Sequence, residues 1–436
     1  MATGRAGTTI FGPEGFSFFG ARVAAVGDVN GDGVADFAVA ARQAGDGYPL
    51  GASDSLDQVG VVYVVYGRDG AELPETLDFG FDAALAPDGT SFSVIQGAAA
   101  GDRLGWDVAA AGDLNGDGID DLVAGSDRMG EPSNDGGAVV IYGAAGGLDP
   151  VIEVDALTAA QGARLNGQAN AQAGLDLSGA GDLDGDGADD LFVSSQNDSR
   201  VYVVFGSDAE ALPAEAVLGT DLGPRTLTIE GVTSNGGGAV GDVTGDGVAD
   251  LVLPGSGNDL LILEGGAALA ALGRGSVALG DLAPFATIAD GRTFGIGDAG
   301  DVNGDGVGDL VVAGAVVFGG AGLSGATVDL SALDGRDGFR FAPAGQNFNV
   351  GGRGDVNGDG IGDLVLGDRR GDGPGGETDV GRTYLVFGRT GGFPADLDLE
   401  ALDGTDGYRI EGTFERDVLD GGRLADVNGE IGRAHV

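Results

Sequence analysis

Short apolar runs separated by glycine-rich polar turns follow one another along the 436-residue chain. Around the first such turn, residues 22–26 precede it, 36–40 follow it, and a third run occupies 61–67. These runs are rich in β-branched and aromatic residues and too short for helices, so they predict strands. The third run recurs at 138–143, 201–206, 260–265, 315–319 and 383–388.

A fourth strand is predicted at 91–96, 226–231 and 408–412. Four short strands in each of several repeated units are typical of the blades of an all-β propeller, and an open solenoid is the alternative. Residues 8–12 resemble a fourth strand placed ahead of the first blade. A chain that starts with the last strand of a blade can pair it with the final blade, which closes a ring.

One nine-residue motif marks each unit, with Asp at position 1, usually Asn at 3, an acid at 5, Gly at 6 and Asp at 9. A repeat with variable spacing indicates similar modules joined by loops of different length. Seven copies therefore predict a seven-bladed β-propeller with a calcium-binding hairpin loop in each blade and a truncated last blade. The copies begin at Asp28, Asp113, Asp182, Asp242, Asp301, Asp355 and Asp426.

The motif has the donors of a calcium loop, because calcium takes six to eight oxygen ligands in flexible geometry. Positions 1, 3, 5 and 9 supply side-chain oxygens, and position 7 supplies its backbone carbonyl. The predicted ligands are Asp28, Asn30, Asp32, Val34 and Asp36; Asp113, Asn115, Asp117, Ile119 and Asp121; Asp182, Asp184, Asp186, Ala188 and Asp190; Asp242, Thr244, Asp246, Val248 and Asp250; Asp301, Asn303, Asp305, Val307 and Asp309; Asp355, Asn357, Asp359, Ile361 and Asp363; and Asp426 with Asn428 in a truncated seventh site.

Two features sharpen the calcium prediction. Ordinary Asp-Gly turns are the alternative, but three carboxylates in one small loop repel unless a cation lies among them. Magnesium fits less well because it prefers strict octahedral, water-rich sites. Thr244 stands where the other loops have Asn or Asp, and its hydroxyl is a poorer ligand, so the fourth site is predicted to be the weakest.

Charge and composition exclude several functions. The chain has 69 acidic and 22 basic residues, a formal net charge of −47 and no cysteine. Nucleic acid and anionic membrane are therefore excluded as partners, and thiolate sites and disulfides are absent. There is no lysine, and the single histidine is His435. Histidine triads, Schiff bases and His-ligated zinc are thus not expected, which leaves carboxylate chemistry.

The sequence resembles the FG-GAP repeats of the integrin alpha N-terminal propeller and its bacterial relatives. The resemblance rests on Phe19-Gly20, Leu104-Gly105 and Phe294-Gly295, each of which leads into an acidic loop. Residues 124–126 and 253–255 only approximate the family's Gly-Ala-Pro. The resemblance implies a calcium-binding propeller over residues 1–429 that serves as an extracellular binding or adhesion module.

The function expected is recognition of an extracellular protein or glycan, without enzymatic activity or membrane insertion. A propeller-type carbohydrate-active enzyme that uses two carboxylates, and a structural spacer in a larger surface protein, are the alternatives. The inserts 42–58 and 127–135 are candidates for the binding face or ordinary solvated linkers.

Two expectations concern the ends of the chain. No N-terminal signal peptide is visible, so an export signal is expected elsewhere or in a missing segment. Residues 430–436 match the in-frame translation of a common sequencing adapter and are predicted to be an artefact.

Overall fold

The computed structural model has an all-β propeller fold. It describes residues 9–12, 18–44, 58–68, 76–79, 91–130, 134–232, 237–272, 275–291, 296–312, 314–342, 349–368 and 382–411. Six blades are present among these residues, and each contains four consecutive antiparallel strands, named A to D from the inside outwards.

The strand bounds agree with the predicted runs. The A strands are Phe19–Gly27, Val108–Gly112, Ala173–Gly181, Gly238–Val240, Gly297–Gly300 and Asn349–Gly354, and the B strands are Asp36–Ala41, Asp121–Ser126, Asp190–Ser195, Asp250–Pro254, Asp309–Val312 and Asp363–Asp368. The C strands are Val61–Val65, Gly137–Ile141, Arg200–Val204, Leu260–Leu263, Ala315–Val317 and Arg382–Val386. The D strands are Phe92–Gln96, Gly162–Asn166, Thr226–Glu230, Ala286–Ala289, Gly338–Ala342 and Gly407–Glu411.

A short fifth strand, here called E, was not predicted. It lies between strands C and D of one blade but pairs in parallel with strand D of the preceding blade, as in Val151–Glu153 against Val94–Gln96. Its middle residue is buried and its neighbours are exposed in Val151–Glu153 and Asp396–Asp398. Each E strand therefore ties two blades together. The E strands are Thr76–Asp78, Val151–Glu153, Glu215–Val217, Gly275–Ala278, Thr327–Asp329 and Asp396–Asp398.

Helical structure in the described residues is confined to short turns. The one α-helix is Ala267–Ala271, and none is long and apolar enough to cross a membrane. Most of the 3₁₀ turns in the described residues follow or adjoin E strands. All of these 3₁₀ turns are Val154–Ala156, Gly223–Arg225, Leu279–Asp281, Ala321–Leu323, Leu330–Ala332 and Leu399–Ala401.

The hydrophobic core is divided into layers between adjacent blades. One layer joins Val62, Val64 and Ile95 of blade one to Leu122 and Val139 of blade two. Equivalent layers lie between each following pair of blades, up to blades five and six. Each blade is therefore stabilised mainly by its two neighbours, as expected for repeated modules.

The blade count differs from the prediction. The described residues form six blades rather than seven, because the seventh loop, Asp426 to Asn428, lies outside them. The strand Thr9–Phe11 pairs in parallel with Thr76–Asp78 of blade one. This is the D-to-E pairing found between all other neighbouring blades, so Thr9–Phe11 occupies the place of a D strand beside blade one, as the sequence predicted.

The antiparallel order gives the propeller two distinct faces. Turns between strands A and B, and the C-to-D segments, lie at one end of the blades, which we call the hairpin face. Turns between strands B and C, and the segments that lead from D into the next blade, lie at the other end, which we call the connection face. The six described calcium loops all belong to the hairpin face.

Candidate metal centres and the opposite face

Four of the six described acidic loops begin at a glycine bulge. In blade one the A–B register shifts between Ala25 and Gly27, and Gly27 has a φ of 77°. The same shift precedes the loops of blades two, three and five. The left-handed conformation suits glycine, and the bulge turns the chain sharply away from the sheet.

The first Asp of each loop organises the turn by accepting backbone N–H groups. Asp28 Oδ1 accepts from Asp32 N at 3.0 Å, and its Oδ2 accepts from Gly33 N at 2.7 Å. The same two contacts recur in the other five described loops. Their first residues are Asp113, Asp182, Asp242, Asp301 and Asp355.

The middle positions are also held by local backbone contacts. Asn30 Oδ1 accepts from Asp32 N at 2.8 Å, and Asp32 Oδ1 accepts from Val34 N at 2.9 Å. Asp32 and its equivalents in the other described loops are exposed. The side chains at positions 3 and 5 are thus gathered around the turn with at least part of their oxygen surface open to solvent.

The Asp at position 9 is different, because it is buried in all six loops. Asp190 Oδ2 accepts from Leu183 N at 2.8 Å, and its Oδ1 accepts from Gly206 N, just past strand C, at 2.8 Å. Equivalent pairs hold Asp36, Asp121, Asp250, Asp309 and Asp363. The sequence predicted a ligand here, and the structure adds a framework role that joins the loop to strand C.

Burial dominates the electrostatics of these framework carboxyls. It raises the pKa of Asp121 and Asp190 to about 8, although backbone N–H donors lower it. Burial likewise raises the pKa of Asp36 and Asp309 to about 7 and that of Asp250 to about 6. Neighbouring loop carboxylates raise these pKa values further, so a bound cation would offset a real repulsion.

The donor set fits a hard cation. In loop three, carboxylate oxygens of Asp182, Asp184 and Asp190 lie within 4.8 Å of one another. Elsewhere in the described chain an Asn or Thr replaces the carboxylate at position 3. Carboxylate, amide and carbonyl oxygens on one short loop, with no imidazole or thiolate ligand, match the preference of calcium.

Thr244 takes a different role from its counterparts. Its Oγ1 donates to Asp250 Oδ1 at 3.3 Å, and its backbone N–H donates to Asp250 Oδ2 at 2.8 Å. Thr244 is buried, whereas Asn303 at the same position of loop five is half-buried and contacts Asp305. Loop four thus has one fewer amide oxygen directed to its turn.

Every loop from one to five also contacts the next blade. The backbone N–H that follows strand C of that blade donates to the carbonyl at position 2, at 2.7 to 3.0 Å. This contact could not be predicted from the sequence, because it depends on how the blades pack. The donor and acceptor pairs are Ala144 to Val29, Ser207 to Leu114, Gly266 to Leu183, Gly320 to Val243 and Arg389 to Val302.

The connection face carries the backbone strain. All eight non-glycine residues with positive φ among the described residues lie in its segments. Arg103 and Gln58 are a pair of such residues from adjacent blades, and Arg103 N donates to Gln58 O at 2.9 Å. The full set is Phe18, Gln58, Arg103, Asn134, Asn170, Gln172, Ser199 and Asp290.

An aromatic and arginine cluster lies on this face at blades one and two. The Arg42 guanidinium carbon is 4.4 Å from the centre of the Trp106 ring and 5.2 Å from that of Phe18. Phe18 is 48% exposed. Nearby, buried Asp127 accepts from Arg103 Nη1 at 3.2 Å. Arg42 and Asp127 are the first residues of the inserts 42–58 and 127–135, which are candidates for the binding face.

Comparison with known proteins shows which repeat family the first two blades resemble. A model described as "FG-GAP repeat" matches residues 19–65 and 104–142, which contain strands A to C of blades one and two. Integrin alpha-6 of Gallus gallus is 35% identical over 121 residues, which are 26% of this chain and 10% of the relative. The chain thus spans about a tenth of the length of that curated relative.

Proposed function

Since this chain is an FG-GAP repeat protein with an integrin alpha-like β-propeller, we propose that it is a calcium-binding module for partner recognition outside the cytoplasm. Calcium binds the hairpin face and stabilises the blades. A protein or glycan partner binds the connection face. The module acts by binding and not by catalysis.

One observation carries the calcium part of the proposal. Six loops of different sequence context share one framework, in which position 1 accepts from the backbone of positions 5 and 6, and the buried Asp at position 9 accepts from the backbone of position 2 and of the glycine just past strand C. An isolated Asp-Gly turn needs neither the third acid nor the buried carboxylate. Side-chain oxygens at positions 1, 3, 5 and 9, with the carbonyl of position 7, would hold the ion.

A seventh blade completes the proposed ring. Thr9–Phe11 would be its strand D, since it pairs with strand E of blade one as each other D strand pairs with strand E of the following blade. The layer formed by Tyr63, Leu77, Phe79 and Phe92 already packs against Ile10. That layer corresponds to the interblade layers elsewhere, so a seventh blade in this place would cover an apolar face of blade one.

The connection face is assigned to the partner because strain and exposed aromatic surface coincide there. Residues in sparsely populated backbone regions cost about 1 to 3 kcal/mol each and cluster at binding sites. Phe18 offers an exposed apolar ring, and Trp106 with Arg42 fixes the surface beside it. A rigid aromatic beside a cation suits protein or glycan recognition.

Thermal unfolding in calcium and in chelator, at matched ionic strength, tests the metal. With dissociation constants of about 10⁻⁴ to 10⁻³ M and millimolar calcium, each site adds about 0.4 to 1.4 kcal/mol. Six sites then give on the order of 2 to 8 kcal/mol. We expect a marked loss of Tm in chelator, little of which magnesium restores. Identical melting curves would reject calcium binding.

An array of extracellular proteins and glycans, screened with and without calcium, tests the partner. A ligand found there should bind the variant Phe18→Ala less tightly while its Tm in calcium stays close to wild type. Leu272→Ala is the matched control, since Leu272 is 37% exposed and follows the helix on the hairpin face. Equal loss in both variants would remove the connection face from the proposal.

A further inference from the structure

Two acidic residues outside the predicted ligand sets contact loops of the preceding blade. Asp120 Oδ2 accepts from Asp28 N at 2.8 Å, and Asp189 Oδ2 accepts from Asp113 N at 2.8 Å. Both are half-buried and occupy position 8 of the next loop along the chain. A carboxylate from blade two thus holds the first residue of loop one, and one from blade three holds that of loop two.

The bulge glycines are fitted to these acids. A Cβ added at Gly27 would lie 2.2 Å from Asp120 Oδ2, and one at Gly112 would lie 2.1 Å from Asp189 Oδ2. Only glycine leaves room for the carboxylate at both bulges. The pairing of a bulge glycine with an acid of the next blade is therefore a built contact between blades.

Loops three to five have no such carboxylate from the following blade. Loop three faces Ala249, whose Cβ lies 3.1 Å from where a Cβ of Gly181 would stand, so the backbone approach is nearly the same. Loops four and five face Gly308 and Gly362, whose backbone N–H groups donate to the carbonyls of the first Asp. Among loops one to five, the approach of the blades is thus repeated while the acid is present only at loops one and two.

We propose that Asp120 and Asp189 are positioning residues contributed by the neighbouring blade, and that they make loops one and two bind calcium more tightly than loop five. This inference rests on the proposed calcium function. The carboxylate fixes the backbone of the first ligand and adds negative charge behind it, and both effects favour a bound cation. Loop five is the matched reference, since it has the same ligand types as loop one.

Site-resolved hydrogen exchange during a calcium titration of the full chain provides the test. Peptides that cover each loop report its own calcium midpoint through the N–H groups held by the first Asp. In the wild type, the midpoints of loops one and two should be lower than that of loop five. Loss of outer contacts costs about 10- to 100-fold in metal affinity, and half-burial of these acids places the effect near about 10-fold.

The variants separate positioning from general damage. Asp120→Ala should raise the midpoint of loop one alone, and Asp189→Ala that of loop two alone. Asp120→Asn keeps an oxygen acceptor and should recover part of the affinity. Ala249→Asp should lower the midpoint of loop three, since the backbone already approaches as it does at loops one and two. A purely structural role would instead change exchange in chelator and leave the calcium midpoints unmoved.

The outcomes distinguish the two proposals. Calcium-dependent protection in every described loop, with midpoints unmoved by both alanine variants, would overturn the positioning role and leave calcium binding intact. Absence of calcium-dependent protection in all loops would reject the calcium function itself. Selective shifts at loops one and two, with the gain at loop three, would support the inference.

Discussion

The two faces of the propeller solve the same geometric problem differently. Both need tight turns with positive φ, but the described loops of the hairpin face use glycine at every such position. The connection face places Phe18, Arg103 and Gln172 there instead. Glycine avoids backbone strain at the positive-φ positions of the hairpin face, whereas the connection face has non-glycine residues in the strained conformation. The hairpin face, whose loops are alike in every described blade, is suited to a common structural task. The connection face, which differs from blade to blade, is suited to selective recognition.

Two carboxylates, one on each face, show the same contrast. On the hairpin face, Asp190 and its equivalents accept from backbone N–H groups, and these contacts are identical from blade to blade. On the connection face, Asp198 accepts from the side chains of Ser195, Arg200 and Tyr202. The first arrangement depends on the fold, and the second on particular side chains of one blade.

The largest expected effect tests this contrast directly. Asp190→Ala leaves the buried N–H groups of Leu183 and Gly206 without their acceptor, and should lower the free energy of unfolding by about 2 to 5 kcal/mol. The loss should be measurable by denaturant unfolding in calcium and in chelator alike, because the framework contacts need no metal.

Asp198→Ala is the matched change on the connection face. Asp198 is only half-buried and one of its partners, Arg200, reaches solvent, so water can replace part of the lost contacts and the loss should stay below about 1.5 kcal/mol. Equal losses for the two variants would show that the framework carboxylates have no special structural role.

The sequence predicted most of what repeats and little of what joins the repeats. Strands A to C, the six described loops and the extra strand at Thr9–Phe11 followed from apolar runs and glycine spacing. The D strands of blades two, four and five were not singled out. The E strands were missed because three residues with one buried side chain, as in Val151–Glu153, carry almost no periodicity.

For the site, donors were predicted but their division of labour was not. Position 9 reads as a ligand from spacing alone, and only burial shows that Asp190 also accepts two backbone N–H groups. Asp120 and Asp189 were overlooked because their contacts cross between blades, 92 and 76 residues apart in sequence. Adjacent acids at positions 8 and 9 were the available signal.

The framework carboxyls of the hairpin face should make the stability of the protein depend on pH. Burial raises the pKa of Asp36 to about 7 and of Asp121 to about 8 in the folded chain, from 3.8. Their contribution is fully present below the unfolded pKa and is lost as pH rises through the folded pKa. In chelator, the free energy of unfolding should therefore fall as pH rises from about 4 to about 8, by on the order of 1 kcal/mol per pH unit for each framework carboxyl.

Calcium should reverse that trend, since it binds the deprotonated loops. The gap in Tm between calcium and chelator should widen as pH rises. Asp190→Asn should reduce the slope in chelator by about one group's share. A gap that stays constant across this range would mean that the framework carboxyls do not exchange protons for metal.

Backbone strain can be tested by one substitution on each face, with a smaller expected change in stability. Gly33 has a φ of 87° with no atom within 4 Å of an added Cβ, so Gly33→Ala should cost about 1 kcal/mol through conformation alone. Gln172, with a φ of 51°, is the converse case on the connection face. Gln172→Gly should be neutral or stabilise by up to about 1 kcal/mol. Denaturant midpoints measure both, and destabilisation by Gln172→Gly would contradict strain on that face.

The smallest expected effect concerns a single ligand in loop four. Thr244 Oγ1 contacts Asp250 at 3.3 Å, whereas Asn at this position in loops one, two and five accepts from the backbone of position 5. Thr244→Asn should supply the missing amide oxygen and lower the calcium midpoint of loop four by a few-fold, worth about 0.5 to 1 kcal/mol at saturating calcium. In chelator the same variant should gain nothing, since Thr244 is buried and its hydroxyl contact is lost.

Hydrogen exchange over residues 242–250, with loop five as the internal reference, measures the change. Equal midpoints for loop four before and after substitution would show that position 3 does not bind the cation.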